Sequence, residues 1–254
     1  MQLLTLLFSG LVIGSLTGLL GIGSGLFLVP VMTEFIHLSF PQAVATALCI
    51  NFLQALINSF TYYKKGLLDL SAAKLLCFPM AFFSFGTAKL GQYLSSEMMR
   101  YSFIATNIFV VAMPALLSPQ AKKILQRYKK QSCIFFGSII GALSGITGIG
   151  GGGLLSFILL STKLVNEKKA AAVANSAVAT TSLFAIIGYL SHRHVDLGQT
   201  GLDIIRLDVM APLFIAGIIG GQWGIKLNDK ISMVQRKLGL ALVFSVVLLK
   251  LLLF

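Results

Sequence analysis

Apolar residues dominate eight segments of this chain, and short polar or charged stretches separate them. An α-helix needs about 20 apolar residues to cross a bilayer, and most of these segments reach that length. The pattern predicts an all-α integral membrane protein whose apolar segments cover residues 3–36, 43–62, 71–94, 98–118, 132–162, 170–190, 208–227 and 233–254.

The second half of the chain repeats the first. Residues 14–26 recur as residues 141–153, and the glycines of the two copies coincide. Residues 43–70 also align without gaps on residues 170–197. Each half therefore opens with the same glycine-rich device and continues with the same kind of helix.

The repeat divides the chain into two four-segment units. We predict a first repeat over residues 1–119 and a second repeat over residues 132–254. Residues 120–131 join them and are rich in lysine. We interpret this linker as a solvated loop on the cytoplasmic side.

The first segment of each half is too long for one straight crossing. A helix over the 34 residues 3–36 would extend about 51 Å, whereas the apolar core of a bilayer is about 30 Å thick. Gly21, Gly23 and Gly25 interrupt this segment, and glycine in a helix interior costs about 1 kcal/mol relative to alanine. The chain is therefore expected to break there, either as a kinked span or as a re-entrant hairpin.

The distribution of lysine and arginine favours the hairpin. With eight full crossings, the 20 basic residues divide eleven to nine between the two sides of the membrane. With a hairpin at the start of each half, they divide fifteen to five, as the positive-inside rule requires. Three crossings then remain in each half, so the repeats would be inverted, a plan that recurs in transporters with broken helices. Both termini are expected outside.

Composition agrees with a membrane protein and argues against other classes. The chain is 56% hydrophobic and 11% charged, whereas soluble domains carry about 25% charged residues. The net charge of +12 does not indicate a nucleic-acid partner, because the basic residues lie between apolar runs. Cys49, Cys77 and Cys133 are isolated, so neither a metal nor a cofactor is expected.

The doubled glycine motif resembles the TauE/SafE sulfite exporter family. Two Gly-x-x-x-Gly-x-x-Gly-x-Gly segments each open one half of a chain near 250 residues, and Asp69 and Asp196 repeat as well. The resemblance implies a permease for small sulfur-containing anions or related organic acids, such as sulfite, sulfoacetate or sulfonates. We expect a multi-pass protein of the bacterial cytoplasmic (inner) membrane.

The glycine breaks are candidates for the substrate site. Backbone N–H groups at membrane depth are tolerated only where protein or a water-lined cavity covers them, and beside a helix N-terminus such groups can bind an anion. Two breaks that meet near the midplane would give an oxyanion several donors. The candidate residues are Gly21, Gly23, Ser24, Gly25, Gly148, Gly150, Gly151 and Gly152.

The glycines that precede each break suit a different role. Gly10, Gly14 and Gly18 recur every four residues, a spacing typical of close helix packing in membranes. We interpret them as packing residues and expect the substitution Gly14→Ala to be mild. Close packing is also the alternative interpretation for the glycines at the breaks.

A polar face follows on the next helix. Asn51, Gln54 and Asn58 fall at i, i+3 and i+7, and three amides in hydrocarbon are costly unless they face a cavity or a partner helix. Asn175 and Thr181 provide a looser version in the second half. These amides and hydroxyls are expected either to contact substrate or to hold helices together.

The carboxylates all lie at segment ends or in loops. Proton-driven carriers usually keep an acid within the membrane. An anion that leaves a negative cytoplasm moves down the membrane potential, so export would need no coupled ion, whereas accumulation would. We interpret Asp69 and Asp196 as helix caps. An anion channel is the alternative function, and an enzyme is not expected. Oligomeric state, exact substrate and direction are left open by the sequence.

Overall fold

The computed structural model of this protein describes residues 2–20, 23–191, 204–228 and 230–232, and a few positions between 234 and 245. All regular secondary structure in the described part is helical, and no strand is present there. Its helices are α1 (Gln2–Leu20), α2 (Gly25–Glu34), α3 (Phe40–Lys64), α4 (Leu70–Gly91), α5 (Ser96–Leu116), α6 (Pro119–Arg127), α7 (Lys129–Thr147), α8 (Gly152–Thr162), α9 (Glu167–Leu190) and α10 (Leu207–Asn228).

The long first segment of each half is divided into two helices. α1 is followed by the short α2, and α7 is followed by the short α8. The break between α7 and α8 lies at the predicted glycines. Gly148 ends α7 and Gly151 precedes α8, and both have positive φ angles. The eighth predicted segment, 233–254, lies largely outside the described residues, as do Gly21 and Asp196.

The linker between the halves is a helix rather than the loop that the sequence suggested. Ser118 caps α6, and its Oγ accepts a hydrogen bond from the Ala121 N–H at 3.1 Å. The Gln126 side chain then donates to the Thr162 carbonyl at 2.7 Å, which ties the linker to the end of α8. A proline at the first helical position supports this start, since its fixed φ suits a helix and its missing N–H is not needed.

Each half packs its first helix against the third long helix of the other half. The glycines of α1 face the α10 backbone, and successive glycines along α1 meet successive turns of α10 in the same order. The two helices are therefore parallel. α7 packs in the same way on α4. The paired positions are Gly10 with Leu213, Gly14 with Gly217, Gly18 with Gly221, Gly137 with Leu76, Gly141 with Met80 and Gly145 with Ser84.

These contacts confirm the packing interpretation of the α1 glycines but contradict the expectation that Gly14→Ala is mild. A methyl group on Gly14 would overlap the carbonyl group of Gly217. Backbone atoms cannot turn aside as the end of a side chain can, so the helices would have to separate. The small-residue pattern predicted close packing, but only the structure gives the backbone partner.

The centre of the protein is an antiparallel pair, α3 and α9. The Asn58 Nδ2 donates to Asn175 Oδ1 at 3.3 Å, and the Ser176 hydroxyl donates to Ser59 Oγ at 3.4 Å. One turn further along α3, Tyr62 packs with Ala171, which lies one turn earlier on α9. The contacts therefore run in opposite directions along α3 and α9.

α1 and α2 form a helical hairpin against α3. The end of α1 lies near the end of α3, because the Tyr62 hydroxyl donates to the Gly18 carbonyl at 2.8 Å. The start of α2 lies beside the middle of α3, where the Gly25 N–H donates to Asn51 Oδ1 at 2.8 Å. α2 then returns toward the start of α3, so the short helix is antiparallel to both of its neighbours.

Five helices in the described part are long and apolar enough to cross a membrane, namely α1, α3, α4, α9 and α10. α2 and α8 are apolar but shorter. Large apolar side chains project outward, among them Phe78 and Phe82 on α4 and Trp223 on α10. An exposed apolar surface of this kind fits a lipid environment rather than water. As predicted, Asp69 caps a helix, since its side chain accepts from the Ala72 N–H at the start of α4.

Candidate functional site

The two glycine breaks meet at the centre of the fold. Gly25 lies against the carbonyl oxygen of Gly148, and Gly23 lies against the carbonyl oxygen of Ile149. A side chain at either glycine of the first break would overlap these backbone atoms. The two breaks are therefore held at backbone contact distance, which only glycine permits here.

Asn51 on α3 joins the two breaks. Its Oδ1 accepts hydrogen bonds from the Ser24 hydroxyl and from the Gly25 N–H, the latter at 2.8 Å. Its Nδ2 donates to the Gly148 carbonyl at 3.1 Å. The side chain is 1% exposed, so these hydrogen bonds form away from water. Asn51 thus serves as a connector between the halves.

The second break is built on left-handed backbone. Gly148, Gly150 and Gly151 have φ angles of 69°, 76° and 70°. Gly148 ends α7 with its N–H donating to the Ser144 carbonyl, and Gly151 occupies the residue before α8. In the first break the corresponding cap, Ser24, has a φ of −65°. The duplicated motif thus adopts two different local conformations.

A small polar cavity lies beside the first break. It has a volume of about 10 Å³, which is the room that one water molecule requires. A small oxyanion needs more space, so the surrounding helices must separate for one to bind. The residues that line the cavity come from α1, the first break, α3 and α9: Thr17, Gly23, Ser24, Asn51, Gln54, Ala55, Asn58, Asn175 and Val178.

Gln54 is the unusual member of this set. Its side chain is 4% exposed, yet neither its Nε2 nor its Oε1 has a hydrogen-bond partner in the described part of the chain. A buried polar group without a partner costs about 1–3 kcal/mol. Gly217 on α10 gives the amide its space, because any side chain there would overlap Nε2. Such a group is free to bind either an ordered water molecule or a ligand in the adjoining cavity.

The candidate residues predicted from the sequence fall into two groups. Gly23, Ser24, Asn51, Gln54 and Asn175 line the cavity. The remaining described candidates are absent from the lining. They are Gly25 of the first break, and Gly148, Gly150, Gly151, Gly152 and Thr181, which form or contact the second break.

Contacts explain why the second group does not line the cavity. Gly150 packs against Asn51 and Val178, and Gly151 faces Ile140. The Thr181 hydroxyl donates to the Gly150 carbonyl at 2.9 Å. These residues hold the shape of the break, and the cavity opens beside the other copy of the motif.

Sequence reasoning missed Gly217, whose lack of a side chain is needed for Gln54. It lies in a stretch with several glycines, including Gly220 and Gly221, and that local pattern indicates helix packing only. Asn58 and Thr17 belong with the site as well. The i, i+3, i+7 spacing of the amides had already placed Asn58 on the same face as Asn51.

The site is polar but carries no ionisable side chain among its lining residues. Most donors at the site already bond within the protein, since Ser24 and Gly25 donate to Asn51 and Thr17 donates to the Gly14 carbonyl. Gln54 Nε2 has no partner in the described part of the chain, and the start of α2 carries partial positive charge. Helix N-termini favour anions. The arrangement can therefore stabilise a small anion through dipoles, without a fixed positive charge.

An all-helical chain with several apolar helices and two helix breaks around a central polar cavity is characteristic of secondary transporters. Comparison with known proteins agrees with that class. The profile of the family described as sulfite exporter TauE/SafE matches residues 6–251. The chain belongs to this family and is a multi-pass integral membrane protein.

Curated relatives carry transporter names. The chain is 28% identical over 236 residues to a probable membrane transporter protein of Methanocaldococcus jannaschii, covering 89% of this chain and 86% of the relative. It is also 28% identical over 224 residues to a probable membrane transporter protein of Haemophilus influenzae, covering 81% and 80%. No solved structure matches the chain.

Proposed function

We propose that this protein is a permease that exports small sulfur-containing or organic anions, such as sulfite or sulfonates, across the bacterial cytoplasmic membrane. The cavity beside the first break supports this assignment, since it combines a helix N-terminus with the unpartnered amide of Gln54. Membership of the exporter family supports the same cargo class. The cargo would lie between α3, α9 and the first break.

Export of an anion is favoured by the membrane potential alone. An anion that leaves a negative cytoplasm gains about 2.3 kcal/mol per charge for every 100 mV. No lining residue is a carboxylate, which agrees with a carrier that does not move protons through its own acids. The transporter names of the relatives favour a carrier over a channel, and saturation of flux with rising substrate concentration would distinguish the two.

The helix directions support the re-entrant hairpin and the inverted repeat. α1 and α10 are parallel, and the central α3 and α9 are antiparallel. With the linker in the cytoplasm, α1 and α3 would start outside and α2 would return to the outside, as the positive-inside distribution requires.

Topology can be tested at the C-terminus. A reporter that fluoresces only in the cytoplasm, fused after Phe254, is expected to stay dark, because the fifteen-to-five charge distribution places this end outside. As the internal control, a cysteine introduced at Lys123 should be labelled only after the membrane is permeabilised. Fluorescence of the fusion, together with shielding of residue 123, would mean that the hairpins are full crossings.

The substitution Gln54→Leu tests the site. We expect anion binding to weaken by about 1–3 kcal/mol, since the cargo loses a hydrogen-bonding partner. The stability of the cargo-free protein should stay the same or rise, because a buried amide without a partner is removed. Titration of the purified protein with sulfite, followed by thermal shift, measures both quantities.

Asn107→Leu provides the matched control for this test. Asn107 is a buried amide on α5 whose Nδ2 donates to its own helix at the Phe103 carbonyl, and it does not line the cavity. We expect sulfite affinity to be retained in this variant. If both variants bind sulfite as well as the unaltered protein, the cargo does not use Gln54.

A further inference from the structure

We infer that the species recognised at this site is a monoanion that still carries one O–H group, such as hydrogen sulfite, rather than a dianion or a sulfonate. The inference rests on the proposed function and narrows its cargo, because it excludes those sulfonates that carry no hydrogen-bond donor. Gln54 carries it, because its amide presents a donor nitrogen and an acceptor oxygen, both buried and both without a partner in the described part of the chain.

The chemistry of an amide sets this requirement. Nε2 can only donate a hydrogen bond and Oε1 can only accept one. A ligand that satisfies both atoms must therefore accept and donate. Sulfite dianion, sulfate dianion and simple sulfonates such as methanesulfonate offer acceptors alone, so each would leave Oε1 unsatisfied. Hydrogen sulfite offers oxygen acceptors together with one O–H donor, whichever way round the amide lies.

The neighbouring amides are already committed to the protein. Asn51 uses its Oδ1 for Ser24 and Gly25 and its Nδ2 for Gly148. Asn175 donates to the Ala171 carbonyl at 2.9 Å and accepts from Asn58. Gln54 is therefore the lining amide that can give both of its atoms to a cargo.

Charge points to the same species. The cost of moving an ion out of water grows with the square of its charge, so a dianion would lose about four times as much hydration energy as a monoanion of equal size. No charged side chain lines the cavity to repay that cost. Dipoles from amides and from the start of α2 can stabilise one negative charge much more readily than two.

None of the ionisable groups on the surrounding helices lines the cavity. α1 has none in its described range, and no ionisable residue of the other helices around the site is among the lining residues. The groups on those helices are Glu34 on α2, Cys49, Tyr62, Tyr63 and Lys64 on α3, Lys129, Lys130 and Cys133 on α7, Glu167, Lys168, Lys169 and Tyr189 on α9, and Asp208 and Lys226 on α10. The pH dependence of transport should therefore follow the ionisation of the cargo.

Proteoliposomes containing the purified full-length protein test this inference. Initial rates of radiolabelled sulfite flux are measured at a clamped membrane potential, at several pH values across the second ionisation of sulfite, and leakage from protein-free liposomes is subtracted. We expect the rate to rise as the pH falls, in proportion to the hydrogen sulfite fraction. Sulfate and methanesulfonate, which lack an O–H in this range, should compete at least tenfold less well.

The variant Gln54→Leu adds a readout that a general loss of activity would not change. This variant lacks the Oε1 acceptor. The preference of the variant protein for hydrogen sulfite over methanesulfonate should therefore fall at least tenfold, even if its absolute transport rate is low. A rate that follows the dianion, or methanesulfonate that competes as well as sulfite in the unaltered protein, would overturn the inference and leave the proposed permease intact. No saturable flux of any of these anions at any pH would overturn the proposed function itself.

Discussion

The substitution Gly150→Val is expected to abolish anion transport while leaving insertion into the membrane intact. Gly150 has a φ of 76°, a conformation that is a genuine outlier for a β-branched residue. A Cβ there would lie 3.1 Å from both Asn51 Nδ2 and Val178 Cγ1. Displacing Asn51 breaks its hydrogen bond to Gly148 and loosens the contact between the two breaks. Flux should fall to that of protein-free liposomes.

Gly66→Val is the matched control for Gly150→Val. Gly66 also has a left-handed backbone, with a φ of 68°, but a Cβ there meets no atom within 4 Å. The two variants therefore share the backbone strain and differ in the contact with Asn51. We expect Gly66→Val to keep transport within about twofold, since left-handed strain alone costs on the order of 1–2 kcal/mol. Equal loss in both variants would assign the defect to backbone strain instead.

A smaller substitution at Gly150 distinguishes a transport defect from misfolding of the protein. Gly150→Ala adds one methyl group and should retain a monodisperse, membrane-inserted protein with strongly reduced flux. Normal flux in this variant would contradict the role given to the second break.

The substitution Gly14→Ala is expected to destabilise the whole protein. The new methyl group would overlap the carbonyl of Gly217, and relief requires α1 and α10 to move apart. Overpacking of this kind costs about 1–3 kcal/mol or more. Because α1 belongs to the first half and α10 to the second, separation of this pair also disrupts the contact between the halves. The apparent melting temperature and the monodisperse fraction in detergent should both fall.

Gly86→Ala provides the control for Gly14→Ala. Gly86 lies within α4, and a Cβ there meets nothing within 4 Å. Alanine in a helix interior is favoured over glycine by about 0.5–1 kcal/mol, so this variant should melt at the same temperature or higher. If Gly14→Ala and Gly86→Ala melt alike, α1 and α10 do not pack at backbone distance.

The sequence by itself determined the membrane class, the breaks in the first segment of each half and the polar face of α3. These features depend on the local run of residue types. Twenty apolar residues favour a membrane helix, clustered glycines disfavour a continuous one, and three amides at helical spacing must share a face. Asp69 as a helix cap follows from equally local chemistry.

The tertiary structure decided which of these residues touch. The close partner of Gly14 is Gly217, on a helix of the other half, and no local pattern specifies a partner so distant in the chain. The same holds for Gly217 and Gln54. For this reason Gly14→Ala was misjudged from the sequence, where the small-residue spacing showed a packing face but not how closely the other backbone approaches.

The structure also separated residues that the sequence treated as equivalent. The glycine motif is duplicated, but Gly23 lines the cavity, whereas the equivalent Gly150 packs against Asn51 and Val178 and does not line it. Asn51 and Gln54 lie on one helical face, yet both polar side-chain atoms of Asn51 are hydrogen-bonded to the breaks and Gln54 has no partner in the described part of the chain. Whether a buried amide holds the fold or remains available to a ligand depends on the atoms that surround it in three dimensions, and one-dimensional spacing contains no information about those atoms.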